Sequence, residues 1–161
     1  MLRWVGLVAR LVVGVVWLWA GLVKVSEPES SVTAVRGYQL LSPSVADVVG
    51  RVLPMTEVVL GACLILGLLT RFAGALSALL QLAFIVGIAS VWARGISINC
   101  GCFGNGGPNP DAISQYPWEI ARDVGLFLLS VFLVWRPSTP LALDNLLYSV
   151  SPGGRDVEEA T

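Results

Sequence analysis

Residues 72–93 read FAGALSALLQLAFIVGIASVWA, in which Gln81 and a few small residues give the only polar relief. An α-helix needs about 20 consecutive apolar residues to cross the hydrocarbon core of a bilayer, and this stretch supplies them. Residues 52–70, immediately before it, are nearly as apolar but contain Glu57. Because only a residue or two around Arg71 separates the two stretches, we predict two membrane helices joined in a tight antiparallel hairpin.

Two further stretches have a similar length and apolar character. Residues 4–23 are interrupted only by Arg10, and residues 118–135 carry three charged residues in their opening turns. The four stretches together predict an all-α fold, an integral membrane four-helix bundle formed by residues 1–136. A signal peptide is the alternative interpretation of the first stretch. Against it, no small-x-small cleavage site follows before Lys24.

The composition of the 161 residues supports a chain embedded in a lipid bilayer. Hydrophobic residues make up 55% and charged residues only 13%, whereas soluble domains carry about 25% charged residues. The mean hydropathy is +0.77. The net charge is −1 with no basic tract, so nucleic acid is not a predicted partner. The chain contains no histidine, which removes the commonest general base and metal ligand.

Two segments are polar enough to lie outside the membrane. Residues 26–51 contain two short amphipathic pieces, residues 30–40 and 44–53, which are separated at Pro43. Residues 94–117 are rich in glycine, asparagine and proline and are predicted to form a loop. The chain ends in a polar segment, residues 137–161, which we expect to be mobile.

One face of the first predicted helix carries small and charged residues spaced by three and four positions. Small residues let a neighbouring helix approach closely, and the charges share this face because lipid would not tolerate them. We interpret the face as packing with charges paired inside the bundle, and the alternative is a polar functional path. Its members are Arg3, Gly6, Arg10, Gly14, Trp17, Gly21 and Lys24.

Glu57 is expected to lie about a turn and a half inside the membrane. A carboxylate at that depth is costly unless it is paired or neutralised. With the first long loop outside, Lys24 or Arg122 could pair with it in the outer part of the bundle. The sequence thus predicts a buried polar cluster, whose members are Arg10, Lys24, Glu57, Arg122 and Asp123.

The segment with evident chemistry is Cys100-Gly101-Cys102-Phe103-Gly104. In Cys-x-Cys the two sulfur atoms can form a disulfide when the middle residue bends sharply, and glycine permits that bend. The ring is small, so strain should make the disulfide easily reduced. Cys100 and Cys102 are therefore a candidate catalytic redox pair. The alternative is a static disulfide, or a pair of idle thiols, in a glycine-rich turn.

The remaining chemistry of the cysteines is limited. Two thiolates without histidine fall short of a tetrahedral set of metal ligands, so no metal site is predicted. Cys63 lies in an apolar run and is expected to pack as a small apolar residue.

Charge bias does not orient the chain in the membrane. With a cytoplasmic N-terminus, the 10 lysines and arginines divide equally between the two sides, so the positive-inside rule gives no preference. A cysteine pair gains a redox role most easily in an oxidising compartment. We therefore predict a multi-pass protein of the cell membrane with both termini in the cytoplasm and the cysteine loop outside.

Five segments carry a resemblance to a known family. They are RLVVG at 10–14, AGLVK at 20–24, VRGY at 35–38, LPMTEVVLG at 53–61 and NCGCFG at 99–104. Over about residues 10–135 the chain resembles the MauE group of the DoxX-like membrane proteins. The resemblance implies a four-helix membrane protein and a link to disulfide handling. The methylamine-utilisation member is associated with maturation of the cysteine-rich small subunit of methylamine dehydrogenase.

The leading hypothesis is a thiol–disulfide redox component, a thiol–disulfide oxidoreductase if it is an enzyme. Cys100 and Cys102 would exchange electrons with an extracytoplasmic thioredoxin-like partner or a cysteine-rich client. No cofactor is predicted from the residues, and a membrane quinone is a candidate final acceptor by analogy with other four-helix thiol oxidases. The alternatives are a non-enzymatic membrane assembly or chaperone subunit and a small-solute or proton pathway.

Overall fold

The computed structural model describes residues 2–102, 104 and 106–135. Helix accounts for 81% of these residues, which confirms the predicted all-α class. The elements in chain order are α1 (Leu2–Ser26), α2 (Pro28–Gly37), α3 (Pro43–Leu66), α4 (Thr70–Ala93), β1 (Ile98–Cys100), β2 (Gly106–Pro108) and α5 (Ala112–Trp135).

Three of the helices are long and apolar enough to cross a membrane. They comprise residues 4–26 of α1 and the whole of α3 and α4, with mean hydropathies of 2.0, 1.8 and 2.1. Large apolar side chains on their outer faces, such as Trp19, Val59 and Leu79, are more than half exposed. Such faces are stable against lipid rather than water, so the chain is a membrane protein.

The fourth predicted span, α5, has the length of a membrane helix but does not share this composition. Its first half carries Glu119, Arg122 and Asp123. With these three charged residues it is less apolar than the other three long helices and is not among the candidate spans. Arg122 and Asp123 pair with one another and turn inward, since Asp123 is buried and Arg122 is half-buried.

The long helices pack side by side in two close pairs. Helix α1 lies along α3 and α4 lies along α5, and the pairs meet where α1 contacts α5 and α3 contacts α4. The closest approach is at Gly61 of α3, where a Cβ atom would lie 2.5 Å from the backbone nitrogen of Leu18. At Gly21 of α1 a Cβ atom would lie 2.8 Å from the backbone nitrogen of Val58. The small residues of α1 thus face α3 and let the two backbones touch.

The connection between α3 and α4 falls slightly earlier than the sequence pattern indicated. Helix α3 ends at Leu66, and Gly67 caps it in the left-handed conformation with φ of 69°. Its N–H group bonds to the carbonyl groups of the last turn, as in common glycine caps. Thr70 and Arg71 therefore belong to the first turn of α4 rather than to the connection.

Two polar segments are more ordered than the sequence pattern indicated. The second amphipathic piece, residues 44–53, is not a separate helix, because α3 runs without interruption from Pro43. Proline there occupies the first turn of the helix, where its missing N–H costs little. Residues 94–117 contain the hairpin of β1 and β2 and the first turns of α5, which starts at Ala112 and accommodates Pro117. The predicted mobile tail, residues 137–161, lies outside the described residues.

Candidate functional site

The two cysteines of interest lie on a short antiparallel hairpin at the end of the bundle where α4 ends and α5 begins. Cys100 is the last residue of β1 and pairs with Gly106 of β2. Tyr116 of α5 is fully buried beneath the hairpin, and its hydroxyl accepts the N–H of Ile98 at 3.0 Å. The same hydroxyl donates to the carbonyl oxygen of Ile96 at 2.8 Å. Helix α5 therefore fixes the strand that leads into Cys100.

Helix α2 holds the other side of the hairpin. The hydroxyl of Ser30 donates to the carbonyl oxygen of Gly104 at 2.5 Å and accepts the N–H of Gly106 at 3.2 Å. The hydroxyl of Tyr38, just after α2, donates to the carbonyl oxygen of Cys100 at 2.8 Å. Burial raises the pKa of Tyr38, so this donor stays neutral. The cysteine segment is thus clamped between two helices.

Gly101 is required for both backbone conformation and space. Its φ of +69° lies in the left-handed region that glycine adopts freely. A Cβ atom at this position would lie 2.3 Å from the Cβ atom of Ala34 on α2. The sequence pattern predicted the bend but could not predict that α2 closes over it.

The two thiols are not bonded to one another in this structure and have different surroundings. Cys100 is half-buried, whereas Cys102 is buried with 8% of its surface exposed. The backbone N–H of Cys102 donates to the Cys100 sulfur at 3.3 Å. Cys102 packs into a small apolar core beneath the hairpin, with Ile88 and Val91 of α4.

These surroundings move the two thiol pKa values in opposite directions. The pKa of Cys100 is lowered because Cys102 hydrogen-bonds to its sulfur; burial and the Glu119 carboxylate oppose this shift. The pKa of Cys102 is raised by its hydrogen bond to Cys100 and by burial. Because the thiolate is the reactive form, Cys100 is suited to attack and Cys102 to act second.

Four of the five residues of the predicted polar cluster lie beneath the hairpin. Lys24 of α1 places its Nζ atom 2.6 Å from Oε1 of Glu57 on α3, and both side chains are at least 97% buried. Of the two partners expected for Glu57, the structure therefore places Lys24 beside it. Arg122 instead holds Asp123, with its Nε and Nη2 atoms 3.0 and 2.9 Å from Oδ1.

A partly open cavity of about 30 Å³ joins this cluster to the cysteine hairpin. That volume can hold one or two water molecules. The polar side chains around it come from the hairpin and from four helices, and Cys102 is one of them. The sequence pattern placed the charges and the cysteines at one end of the bundle but not in one cavity. In the described part of the chain, the polar lining residues are Lys24, Glu57, Gln81, Cys102, Arg122 and Asp123.

Arg10 and Cys63 do not belong to this site. Arg10 is buried, with 2% of its surface exposed, but it precedes Lys24 by 14 residues. That spacing corresponds to about 21 Å along a helix, so Arg10 is separated from the other members of the predicted cluster. Cys63 packs against the apolar core to which α1, α3, α4 and α5 all contribute.

Several residues of the site carried no clear signal in the sequence. Ser30, Tyr38 and Tyr116 are common residue types whose role depends on the fold. Glu119 precedes Asp123 by one helical turn, so the two carboxylates lie on one face of α5. This spacing was the signal in the sequence that could have identified Glu119 as a residue of the site. Within the described ranges, no group of three cysteine, aspartate or glutamate side chains could hold a metal ion.

Comparison with known proteins gives one family. No curated protein and no solved structure matches the chain significantly. The family described as methylamine utilisation protein MauE matches residues 2–136, which include every helix and the cysteine hairpin. The chain therefore belongs to the MauE family.

Proposed function

We propose that this protein is a membrane-bound thiol–disulfide oxidoreductase that handles cysteines of extracytoplasmic proteins. The observation that carries the proposal is the asymmetric thiol pair in a rigid clamp. Cys100 is half-buried with a lowered thiol pKa, and Cys102 is buried next to it with a raised one. Thiol–disulfide exchange requires this division between an attacking and a resolving thiol.

The reduced pair supports a two-step exchange. The Cys100 thiolate attacks a disulfide of the partner, forms a mixed disulfide with one partner sulfur and releases the other as a thiolate. Cys102 then loses its proton, attacks the Cys100 sulfur and releases the second partner thiolate. The partner disulfide gains two electrons, and the Cys100–Cys102 dithiol becomes a disulfide. Each step is reversible, so a strained Cys100–Cys102 disulfide oxidises a partner dithiol by the reverse sequence.

The partner in this proposal is a thioredoxin-like protein or a cysteine-rich client. The resemblance to the MauE group suggests the small subunit of methylamine dehydrogenase as one such client, and the family description itself names methylamine utilisation. A membrane quinone remains the candidate final electron acceptor that analogy with other four-helix thiol oxidases suggests. We route no step of the exchange through it.

The proposal includes a fourth span and an outward-facing hairpin. Trp118 and Trp135 of α5 are 74% and 79% exposed, and their spacing of 17 residues corresponds to about 26 Å along the helix. Exposed tryptophans favour the two interfaces of a bilayer whose core is about 30 Å thick. This placement supports α5 as a spanning helix with the cysteine hairpin just above the membrane surface.

Topology reporters test this arrangement. Fusions after Thr70 and after Pro110 are expected to report opposite sides of the membrane, with the second outside. The measurement is the activity of a periplasmic and a cytoplasmic reporter at each position, each compared with the amount of fusion protein. A cytoplasmic result after Pro110 would place the cysteines in a reducing compartment and contradict the proposed function.

Single-cysteine variants test the exchange itself. Cys102→Ser removes the resolving thiol and should accumulate a mixed disulfide through Cys100. Cys100→Ser should accumulate none, because its remaining thiol is buried and has a raised pKa. Non-reducing gels of the full-length protein in its own membranes, followed by mass spectrometry of the linked peptides, make the measurement.

The variant lacking both cysteines provides the control and separates the alternatives. It should trap nothing and leave client disulfides in the wrong redox state. Were neither single variant to trap a partner while the double variant supported normal client maturation, the cysteines would only brace the hairpin. A non-enzymatic assembly subunit would then replace the redox proposal.

A further inference from the structure

Asp123 is buried with one carboxylate oxygen uncommitted. Its Oδ1 atom accepts two hydrogen bonds from the guanidinium group of Arg122. Its Oδ2 atom is buried and accepts no hydrogen bond from any residue in the described part of the chain. Asp123 is 4% exposed and lines the same water-sized cavity as Cys102. A buried carboxylate oxygen of this kind is costly unless it has a polar partner.

Cys102 needs a base if it is the resolving thiol. It must become a thiolate to attack the mixed disulfide, but burial and the neighbouring Cys100 raise its pKa. Bulk water reaches little of its surface, since it is 8% exposed. A proton acceptor inside the cavity would remove this obstacle.

We propose that Asp123 is the general base that accepts the Cys102 proton during resolution, through a water molecule in the cavity. The inference rests on the proposed thiol–disulfide exchange and assigns a catalytic residue to its second step. The Cys102 proton passes to the water as the water gives a proton to Oδ2 of Asp123. The Cys102 thiolate then attacks the Cys100 sulfur, a Cys100–Cys102 disulfide forms, and the partner leaves as a thiolate. Asp123 later returns the proton to solvent.

The charges around the cavity favour this direction of transfer. Lys24 and Arg122 supply two positive charges, and Glu57 and Asp123 supply two negative charges, so the cluster is neutral before resolution. A protonated Asp123 leaves one positive charge, which stabilises the new thiolate. The positive charge of Lys24 already acts to lower the pKa of the Cys102 thiol.

Asp123 is better placed for this role than Glu57. Protonation of Glu57 would leave the Lys24 ammonium, with 3% of its side chain exposed, without its partner at 2.6 Å. Arg122, the partner of Asp123, has 25% of its side chain exposed and can reach solvent when Asp123 is protonated. The carboxylate whose charge acts on the pKa of the Cys102 thiol is that of Asp123, not that of Glu57. The other titratable groups that face this region are Tyr38, Cys100 and Glu119.

A small aromatic disulfide can separate the two steps. The full-length protein carrying Cys63→Ala is reduced, kept in detergent micelles and mixed with one molar equivalent of dithiobis(nitrobenzoate) in a stopped-flow instrument. Attack by Cys100 releases a first coloured thiolate, and resolution by Cys102 releases a second. Cys102→Ser in the same background should release one equivalent of the coloured thiolate, and the rate of this release defines the first phase.

Asp123→Asn is expected to leave the rate of the first release unchanged and to slow the second about a hundredfold, a usual effect of losing a general base. The second release should level off with rising pH in the parent protein once Asp123 is ionised. In Asp123→Asn it should instead rise throughout the same range. Asp123→Glu, which keeps a carboxylate, should recover part of the rate.

The phases distinguish failure of this inference from failure of the proposed function. Two fast releases in Asp123→Asn, with the pH profile of the parent protein, would rule out Asp123 as the base and leave the exchange intact. A parent protein that releases no second equivalent would contradict the exchange itself. Circular dichroism and reversible unfolding of Asp123→Asn in the same micelles check separately that the variant has kept its structure.

Discussion

Glu57→Ala is expected to lower the free energy of unfolding by about 3–5 kcal/mol, the usual cost of removing one partner of a buried ion pair. The substitution leaves the Lys24 ammonium buried, with 3% of its side chain exposed and its partner at 2.6 Å removed. Inside the membrane, little water is present to solvate the Lys24 ammonium in place of the missing carboxylate. Reversible unfolding of the purified protein in lipid–detergent micelles measures the loss.

Double variants identify the partner of Glu57. Lys24→Met combined with Glu57→Ala should be more stable than the sum of the single effects predicts, because no unpaired charge remains. Arg122→Met combined with Glu57→Ala should be close to additive, since Arg122 pairs with Asp123. Additivity in the Lys24 double variant would contradict the ion pair.

Gly61→Ala is expected to be the most disruptive single-methyl change in the helix interfaces, lowering the free energy of unfolding by about 1–3 kcal/mol or more. The added Cβ atom would lie 2.5 Å from the backbone nitrogen of Leu18 and 2.8 Å from the carbonyl oxygen of Gly14. Backbone atoms cannot rotate away, so α1 and α3 must separate. Unfolding in the same micelles gives the magnitude.

Two other glycines provide matched controls. Gly125 of α5 has no atom within 4 Å of an added Cβ, so Gly125→Ala should not lower stability. Gly14→Ala meets Cγ1 of Ile65 at 2.9 Å, and a smaller residue at Ile65 should restore part of the loss. Leu18→Ala should give no such rescue to Gly61→Ala, because the clash there involves backbone. A Gly61→Ala protein as stable as Gly125→Ala would contradict the tight α1–α3 contact.

The sequence alone determined the features that follow from hydropathy and residue spacing. Apolar runs predicted helices at residues 4–23 and 72–93, because lipid requires uninterrupted apolar surface over the thickness of the bilayer. The three- and four-residue spacing of small and charged residues on the first helix indicated a close helix contact. Cys-Gly-Cys indicated a bend that glycine can make. These inferences depend on local geometry, which neighbouring residues set.

Only the tertiary structure decided which distant side chains meet. Lys24 and Arg122 were equal candidates for Glu57 by depth, and the packing of α1 along α3 placed Lys24 at 2.6 Å. Arg10 shares a helix face with Lys24 but lies too far along the axis to join it. Local periodicity reports the face of a helix and not its neighbour, so sequence could not separate these cases.

The difference between the two cysteines also arises from the tertiary structure. Cys100 and Cys102 are one glycine apart and equivalent in the sequence pattern. The clamp formed by α2 and Tyr116 leaves Cys100 half-buried and turns Cys102 into the cavity beside Asp123. A thiol pKa depends on burial, hydrogen bonds and nearby charges, which distant parts of the chain supply. The sequence therefore determined that a cysteine pair is present, and only the fold assigned a different chemistry to each thiol.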